Sequence, residues 1–334
     1  MGTDAVTVVG AGGIGSAVGA ALRAAGVAVT FVEANPAKVA WGRANGLGVV
    51  PFAEWTPDEH GVILLCVKCY DNATVLAKVP FTATLIPIQN GFDPRLDSFG
   101  HSSEGIASFV AACPADRIEA RITRPGELHL GGRGDRLLTA GVKWLMGKLD
   151  RPGTREWFVP KLVANVLPVK HTKLLYNAAI SPLAAAAGID NGQLLSDPHA
   201  RRLFFALIQE NYTILTAAGI ELGKVGPFHP RTVAKILRRR WLARLMARAF
   251  EPSLRGTYCS MAGEIERGRT EIENYNGHLL RLADGRADAP LNRAVYALVK
   301  RMEANREPPR RAALAQLGTN LGFGFVPSPL GGEG

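Results

Sequence analysis

Long apolar runs are missing from this chain of 334 residues. None reaches the roughly 18 consecutive apolar residues a membrane-spanning helix needs, and the apolar start at Ala5 carries neither the basic leader nor the cleavage site of a secretion signal. A cytoplasmic location with no membrane partner is the expectation. Cysteine is scarce as well: Cys66, Cys69, Cys113 and Cys259 are too few and too scattered for a secreted disulfide framework. Cys66 and Cys69 do form a C-x-x-C. They stand at the end of the apolar run VILLC with no second pair of ligands nearby, so buried thiols are expected there and no metal.

Acid is nearly absent from one segment. Between Arg231 and Arg255 there are eight basic residues against the single Glu251, which accounts for most of the net charge of +10. Arg240, Arg244 and Arg248 recur every four positions and line one helix face, while Leu242, Leu245, Met246 and Ala249 supply an apolar face. Nucleic acid or another anionic surface could bind such a stripe. Without aromatic interleaving or a nucleic-acid fold signature, a solvated basic helix is the favoured reading.

What is present points to an ordinary globular protein: 47% apolar and 20% charged residues bury a core without disulfides. The length exceeds that of one typical domain, so two are expected, with the break placed after the interrupted stretch DRPGTREW, giving domains of 1–160 and 161–320 and a frayed tail, 321–334.

The chain opens with a β-rich run, Ala5 to Val9, then a glycine cluster, an alanine-rich amphipathic stretch and a second strand, VAVTFVE. Gly10, Gly12 and Gly15 make G-x-G-x-x-G in the strand-turn-helix context that gives the pattern meaning. The first glycine permits the turn, the second lets backbone approach a pyrophosphate, and the third lets helix and strand pack closely. A helix N-terminus then offers unpaired N–H groups to the phosphates, so Gly10, Gly12, Gly13, Ile14 and Gly15 are the candidate cofactor residues. Glu33, eighteen residues beyond Gly15, ends the second strand, where an acid binds ribose hydroxyls and repels a 2′-phosphate; it argues for NAD over NADP. Further strands are read at HGVILLCVK and TATLIPIQNG, with Lys68 and Asn90 at their ligand-facing ends. His129 is read as a structural strand residue because no carboxylate partner is evident.

Beyond the boundary the periodicity is helical, with helices expected at about 165–187, 197–218, 230–250, 260–268, 271–283 and 290–305. The first of these, within KHTKLLYNAAISPLAAAAGIDNGQLL, carries Lys173, Asn177 and Ser181 at i, i+4 and i+8, one above another on one face. A lysine among such apolar neighbours is costly unless it lines a cleft or is paired. An ammonium beside a carbonyl receiving hydride could stabilise the oxygen's charge and give it a proton. Pro182 should kink the helix and free a carbonyl near Ser181. Asn191 and Asn90 add amides, and the later stretch YCSMAGEIERGRTEIENYNG offers Ser260 and Glu271 as oxygen ligands.

Taken in order, GAGGIG, VKCYD, QNG, K-x-x-x-N with S-P-L and N-G, SM with GRTEI, and APLN resemble the ketopantoate reductase (2-dehydropantoate 2-reductase) family over nearly the whole chain. The resemblance implies an α/β architecture: an N-terminal Rossmann-type domain followed by an all-helical C-terminal domain like that of 6-phosphogluconate dehydrogenase. It implies reduction of a 2-keto acid by NADP or NAD, with Lys173 as general acid and Asn177 and Glu271 beside it in the catalytic set. Asn177, Ser181, Asn191, Ser260 and Glu271 would hold the substrate, and Lys68 and Asn90 the cofactor side. Three positions depart from the family pattern. Ser181 stands where asparagine is common, the Ser260 to Glu271 spacing is one residue short, and Glu33 replaces the basic residue of NADP-using members. The alternatives are a β-hydroxyacid dehydrogenase and a non-catalytic nucleotide- or nucleic-acid-binding relative. The expected partner is a small 2-keto acid, with a homodimer allowed and nucleic acid disfavoured.

Overall fold

A computed structural model describes residues 5–322. The expected tail, 321–334, lies outside the described residues except for its first two. The first part of the chain alternates strands and helices: β1 (Ala5–Val9), α1 (Gly13–Ala24), β2 (Ala28–Glu33), α2 (Pro36–Ala44), β3 (Gly48–Pro51), β4 (Val62–Leu65), α3 (Asn72–Leu76), β5 (Thr84–Pro87) and α4 (Pro94–Phe99). Then come β6 (Ser103–Ala107), β7 (Val110–Ala112), β8 (Arg121–Arg124), β9 (Glu127–Gly132), α5 (Ala140–Leu149) and β10 (Val159–Asn165).

Five of these strands form a parallel sheet in the order β3-β2-β1-β4-β5. Such a sheet is covered on both faces, which is why its strands read as near-continuous apolar runs. Val8, Leu64 and Ile86 bury one side of the sheet with α1 and α5, and Val9, Ile63, Leu65 and Leu85 bury the other. A parallel bridge between Ile88 and Gly105 leads on to a second sheet, β10-β9-β6.

The helices that follow are α6 (Leu167–Ala187), α7 (Gln193–Ser196), α8 (Pro198–Ala217), α9 (Pro230–Leu237), α10 (Arg240–Leu254), α11 (Asn276–Ala283), α12 (Pro290–Asn305) and α13 (Ala312–Asn320). Among the described residues none is long and apolar enough to cross a membrane. The chain divides into two compact units between Lys173 and Leu174. The division at 160 and 161 read from the sequence stops short of this point, because β10 pairs in parallel with β9 and keeps 159–165 with the first unit.

Three expected helices differ from those observed. The stretch 230–250 is two helices, with Arg239 extended (φ −105, ψ 103) between them. On α10 the buried face is Ala243 and Ala247, and Leu245, assigned above to the apolar face, is 59% exposed. At 260–268 there are turns and a short 3-10 segment, Ile265–Arg267, because Gly263 (φ 71) and Gly268 (φ 76) adopt left-handed backbone. The stretch 271–283 begins as a 3-10 turn, Ile272–Asn274, and becomes α-helical only at Asn276.

Candidate active site

In the first unit the parallel register aligns the ends of β1, β2, β4 and β5: Val9 lies opposite Val32 and Leu65, and Leu65 opposite Pro87. Open α/β sheets bind ligands beyond this edge. Gly10 (φ +95) makes the turn, and a Cβ there would press on Val67 at 2.8 Å. Side chains at Gly13 and Gly15 would collide with the carbonyls of Ala111 and Gly10. Gly12 differs: a Cβ there would meet nothing within 4 Å. The loop is closed by protein on three sides and open at Gly12, beside the N-terminus of α1, which fits a dinucleotide pyrophosphate. Ile14, half-buried, packs on the core below.

Glu33 holds the loop from the neighbouring strand. Its carboxylate accepts from the N–H of Ala11 at 3.0 Å, Ala34 at 2.8 Å and Asn35 at 2.9 Å. Lys38, which sequence reasoning missed, is buried and donates to the Ala11 carbonyl at 2.6 Å. Its signal was only a lysine in the first turn of α2, indistinguishable by pattern from a solvated one.

Lys68 and Asn90 lie on the loops after β4 and β5, and a buried amide cluster ties those loops together. Gln89 Nε2 donates to the Val67 carbonyl and to Asn72 Oδ1, each at 2.7 Å, while Asn72 Nδ2 donates to Asp93 Oδ2 at 2.9 Å. Asn90 stands two residues beyond the Ile88 bridge to Gly105, and Ala107 ends β6 two residues after Gly105. The ammonium of Lys173, half-buried, donates to the Ala107 carbonyl.

His129 on β9 is buried and has a carboxylate partner after all: Glu127 Oε2 lies 3.3 Å from its Nε2. The pair sits at i and i+2, the spacing that shares one face of a strand, so the sequence did contain it. Burial pushes the His129 pKa down, opposed by Glu127 and reinforced by Lys161 and Lys173. Of the C-x-x-C pair, burial pushes the Cys66 thiol up to about 12, so at neutral pH it is a thiol and not a thiolate.

The second unit holds Asn177, Ser181, Asn191, Ser260 and Glu271. Helix α6 runs unbroken from Lys173 through Asn177 and Ser181, so these three do share a face. Ser181 Oγ lies 3.5 Å from Ser260 Oγ, Ser260 Oγ lies 3.1 Å from the Tyr275 hydroxyl, and that hydroxyl donates to Glu271 Oε2 at 3.5 Å. Tyr275, fully buried, is a residue the sequence reading missed; its signal was the i+4 spacing from Glu271. Because Ser260 and Glu271 are joined through turns, one residue fewer between them does not rotate either side chain about a helix axis. Asn191 is buried, with its N–H on the Thr257 carbonyl at 2.9 Å and its side-chain Oδ1 without a hydrogen-bond partner among the described residues.

The family model for ketopantoate reductase PanE/ApbA matches residues 6–136, and that for the ketopantoate reductase PanE/ApbA C terminal matches 165–303. The chain belongs to the ketopantoate reductase family. It is a reductase of the NAD(P)H-dependent kind that this family comprises. Among relatives of ketopantoate reductase type, a 2-dehydropantoate 2-reductase of Pyrobaculum aerophilum is 27% identical over 251 residues, which is 74% of this chain and 78% of that one. The crystal structure of a PanE/ApbA family ketopantoate reductase from Ralstonia eutropha JMP134 covers 91% of this chain and 99% of its own, with a TM-score of 0.71 at 22% identity. A ternary structure of D-mandelate dehydrogenase with NADH and anilino(oxo)acetate covers 90% and 99%, with a TM-score of 0.72 at 19% identity. At these identities the two structures speak for the shared fold.

Proposed function

We propose that this chain reduces 2-dehydropantoate, or a closely related branched 2-keto acid, to the 2-hydroxy acid at the expense of NADH or NADPH. The observation that carries the reading is the Lys173 ammonium, half-buried and held at the carboxyl end of β6 in the same unit as the glycine loop. When bound, the nicotinamide supplies a hydride from C4 to the keto carbon, whose π electrons move to oxygen.

Lys173 then gives that oxygen a proton, having first stabilised its developing negative charge. Its hydrogen bond to the Ala107 carbonyl restricts where the amine can point, which supports a fixed position for the acid. Asn90 and Lys68 serve the cofactor side, and Gly10 to Gly15 leave room for the pyrophosphate at Gly12. Asn177 supports Lys173 from the next turn of α6. Ser181, Ser260 and Asn191 recognise the substrate carboxylate and carbonyl; the unpartnered Asn191 Oδ1 supports that role, since a buried acceptor is costly unless something donates to it. Glu271, steadied by Tyr275, takes the substrate hydroxyl.

For the cofactor, the Glu33 carboxylate supports NADH. Three backbone N–H groups hold it where a 2′-phosphate would meet its charge. Steady-state assays of the purified protein with 2-dehydropantoate, a branched 2-keto acid and an aromatic 2-keto acid, each with NADH and NADPH, test the whole reading. Turnover of none of them would overturn it, and a preference for the aromatic acid would overturn the substrate.

A further inference from the structure

The start of α6 carries a second lysine that the proposed reaction leaves unused. Lys170 is 1% exposed, with its ammonium 2.7 Å from Glu104 Oε2 on β6 and 4.6 Å from the centroid of the Phe92 ring. A charge this deep persists only where it is matched, and here the matching is elaborate. Glu104 also accepts from Arg133 Nε at 2.9 Å and lies 2.7 Å from His101 Nε2, while Phe92 stacks on His171 with centroids 4.4 Å apart.

The contacts made by this lysine coincide with the proposed catalytic parts. Lys170 is one helical turn before Lys173 on α6, and Glu104 is three residues before Ala107 on β6, so the helix is stapled to the strand at two successive points. Phe92 is two residues beyond Asn90 on the loop after β5. An apolar contact would allow α6 to slide on β6 by fractions of a turn. A paired ammonium and carboxylate, each with further partners, does not permit that without separating buried charges.

Resting on the reductase reading above, we propose that Lys170 is a positioning residue: through Glu104 it sets where the Lys173 amine stands. The role also has an electrostatic side. The charged and titratable groups gathered here are Lys170 and His171 on α6, Glu104 on β6 with Arg133 and His101 against it, Glu127 and His129 on β9, and Lys161 on β10. Glu104 offsets the charge of Lys170, so removing either partner alone changes the charge that Lys173 experiences.

The test compares full-length wild type with Lys170→Met, Glu104→Gln and the double variant Lys170→Met/Glu104→Leu, which removes both charges together. Three quantities are read: kcat and KM for the keto acid, cofactor Kd by nicotinamide fluorescence, and the pH dependence of Lys173 acetylation by competitive labelling and mass spectrometry. Lys170→Met should lower kcat by between about ten- and a hundredfold while cofactor Kd stays within about twofold. The labelling midpoint of Lys173 should move down in Glu104→Gln, up in Lys170→Met, and back towards wild type in the double variant, whose kcat stays low. A folded Lys170→Met with wild-type kcat, or a double variant with kcat restored, would overturn the positioning role. So would a Lys173 midpoint unmoved in both single variants. Wild type that reduces no keto acid would sink the reductase reading alone, and the labelling would still decide the positioning.

Discussion

Asn276 Nδ2 donates to the Ala178 carbonyl at 2.9 Å, and Ala178 is the residue whose helical donor is missing because position 182 is proline. The expectation that Pro182 frees a carbonyl near Ser181 is thus met four residues earlier in the chain, by a side chain from α11. Asn276 is itself held: its Nδ2 also donates to Asn292 Oδ1 at 2.8 Å, and Asn292 Nδ2 donates to Asn211 Oδ1 and Glu210 Oε1, each at 2.8 Å. Asn211 in turn donates to the Leu175 carbonyl at 2.9 Å. This buried chain of amides holds α6 at Leu175 and Ala178 from α8 and α11, with Asn292 of α12 linking the two.

Asn276→Leu should therefore destabilise the protein by about 1–3 kcal/mol, the usual cost of leaving buried polar partners unpaired. Pro182→Ala restores a helical donor to Ala178, so in that background the Asn276 substitution should cost less. Urea denaturation of the four proteins of this cycle measures the coupling. Strict additivity would show that the two residues do not share the Ala178 carbonyl.

Lys173→Ala should lower kcat by about 10²–10⁴-fold, the range of a lost general acid, and leave cofactor affinity within about twofold. Pre-steady-state and steady-state rates with a saturating keto acid give the first number, and fluorescence titration the second. Near-normal kcat in the variant would remove Lys173 from the chemistry.

Glu33 has two roles to separate, since its carboxylate caps three N–H groups besides setting the local charge. Glu33→Gln keeps an acceptor and removes the charge, and should raise the NADPH to NADH ratio of kcat/KM by roughly tenfold with little loss of stability. Glu33→Ala should make the same change and cost about 1 kcal/mol more. A ratio that stays put in Glu33→Gln contradicts the role in cofactor choice.

Acid should weaken the fold in two separate windows. Burial pushes His171 down to about 4, only partly opposed by its hydrogen bond to the Leu167 carbonyl. A histidine depressed in the folded state is protonated more readily when unfolded, so its share of stability is complete above about 6.5 and lost as pH falls towards about 4. That share is on the order of 3 kcal/mol. For Glu104 burial acts upward, but Lys170 and His101 outweigh it and hold the carboxyl well below the usual range, so its contribution is lost only at lower pH. Denaturation of wild type and His171→Phe from pH 4 to 7.5 should show the upper window flattened in the variant; parallel curves would refute the assignment.

Local pattern was enough for much of this protein. The glycine loop, the parallel strands and the register of Lys173, Asn177 and Ser181 were all legible, because tight turns, buried strands and helix faces follow from residues within a few positions of one another. The pairing of His129 with Glu127 was legible too and was passed over. Only the tertiary structure decided the rest. The turns at 260–271 replace a helix where Thr270 gives its N–H to Glu303 at 2.7 Å, Lys170 finds Glu104 across 66 positions, and Asn276 reaches Ala178 across 98. A buried polar side chain is defined by the partner it meets, and that partner stands far away along the chain, where no periodicity can announce it.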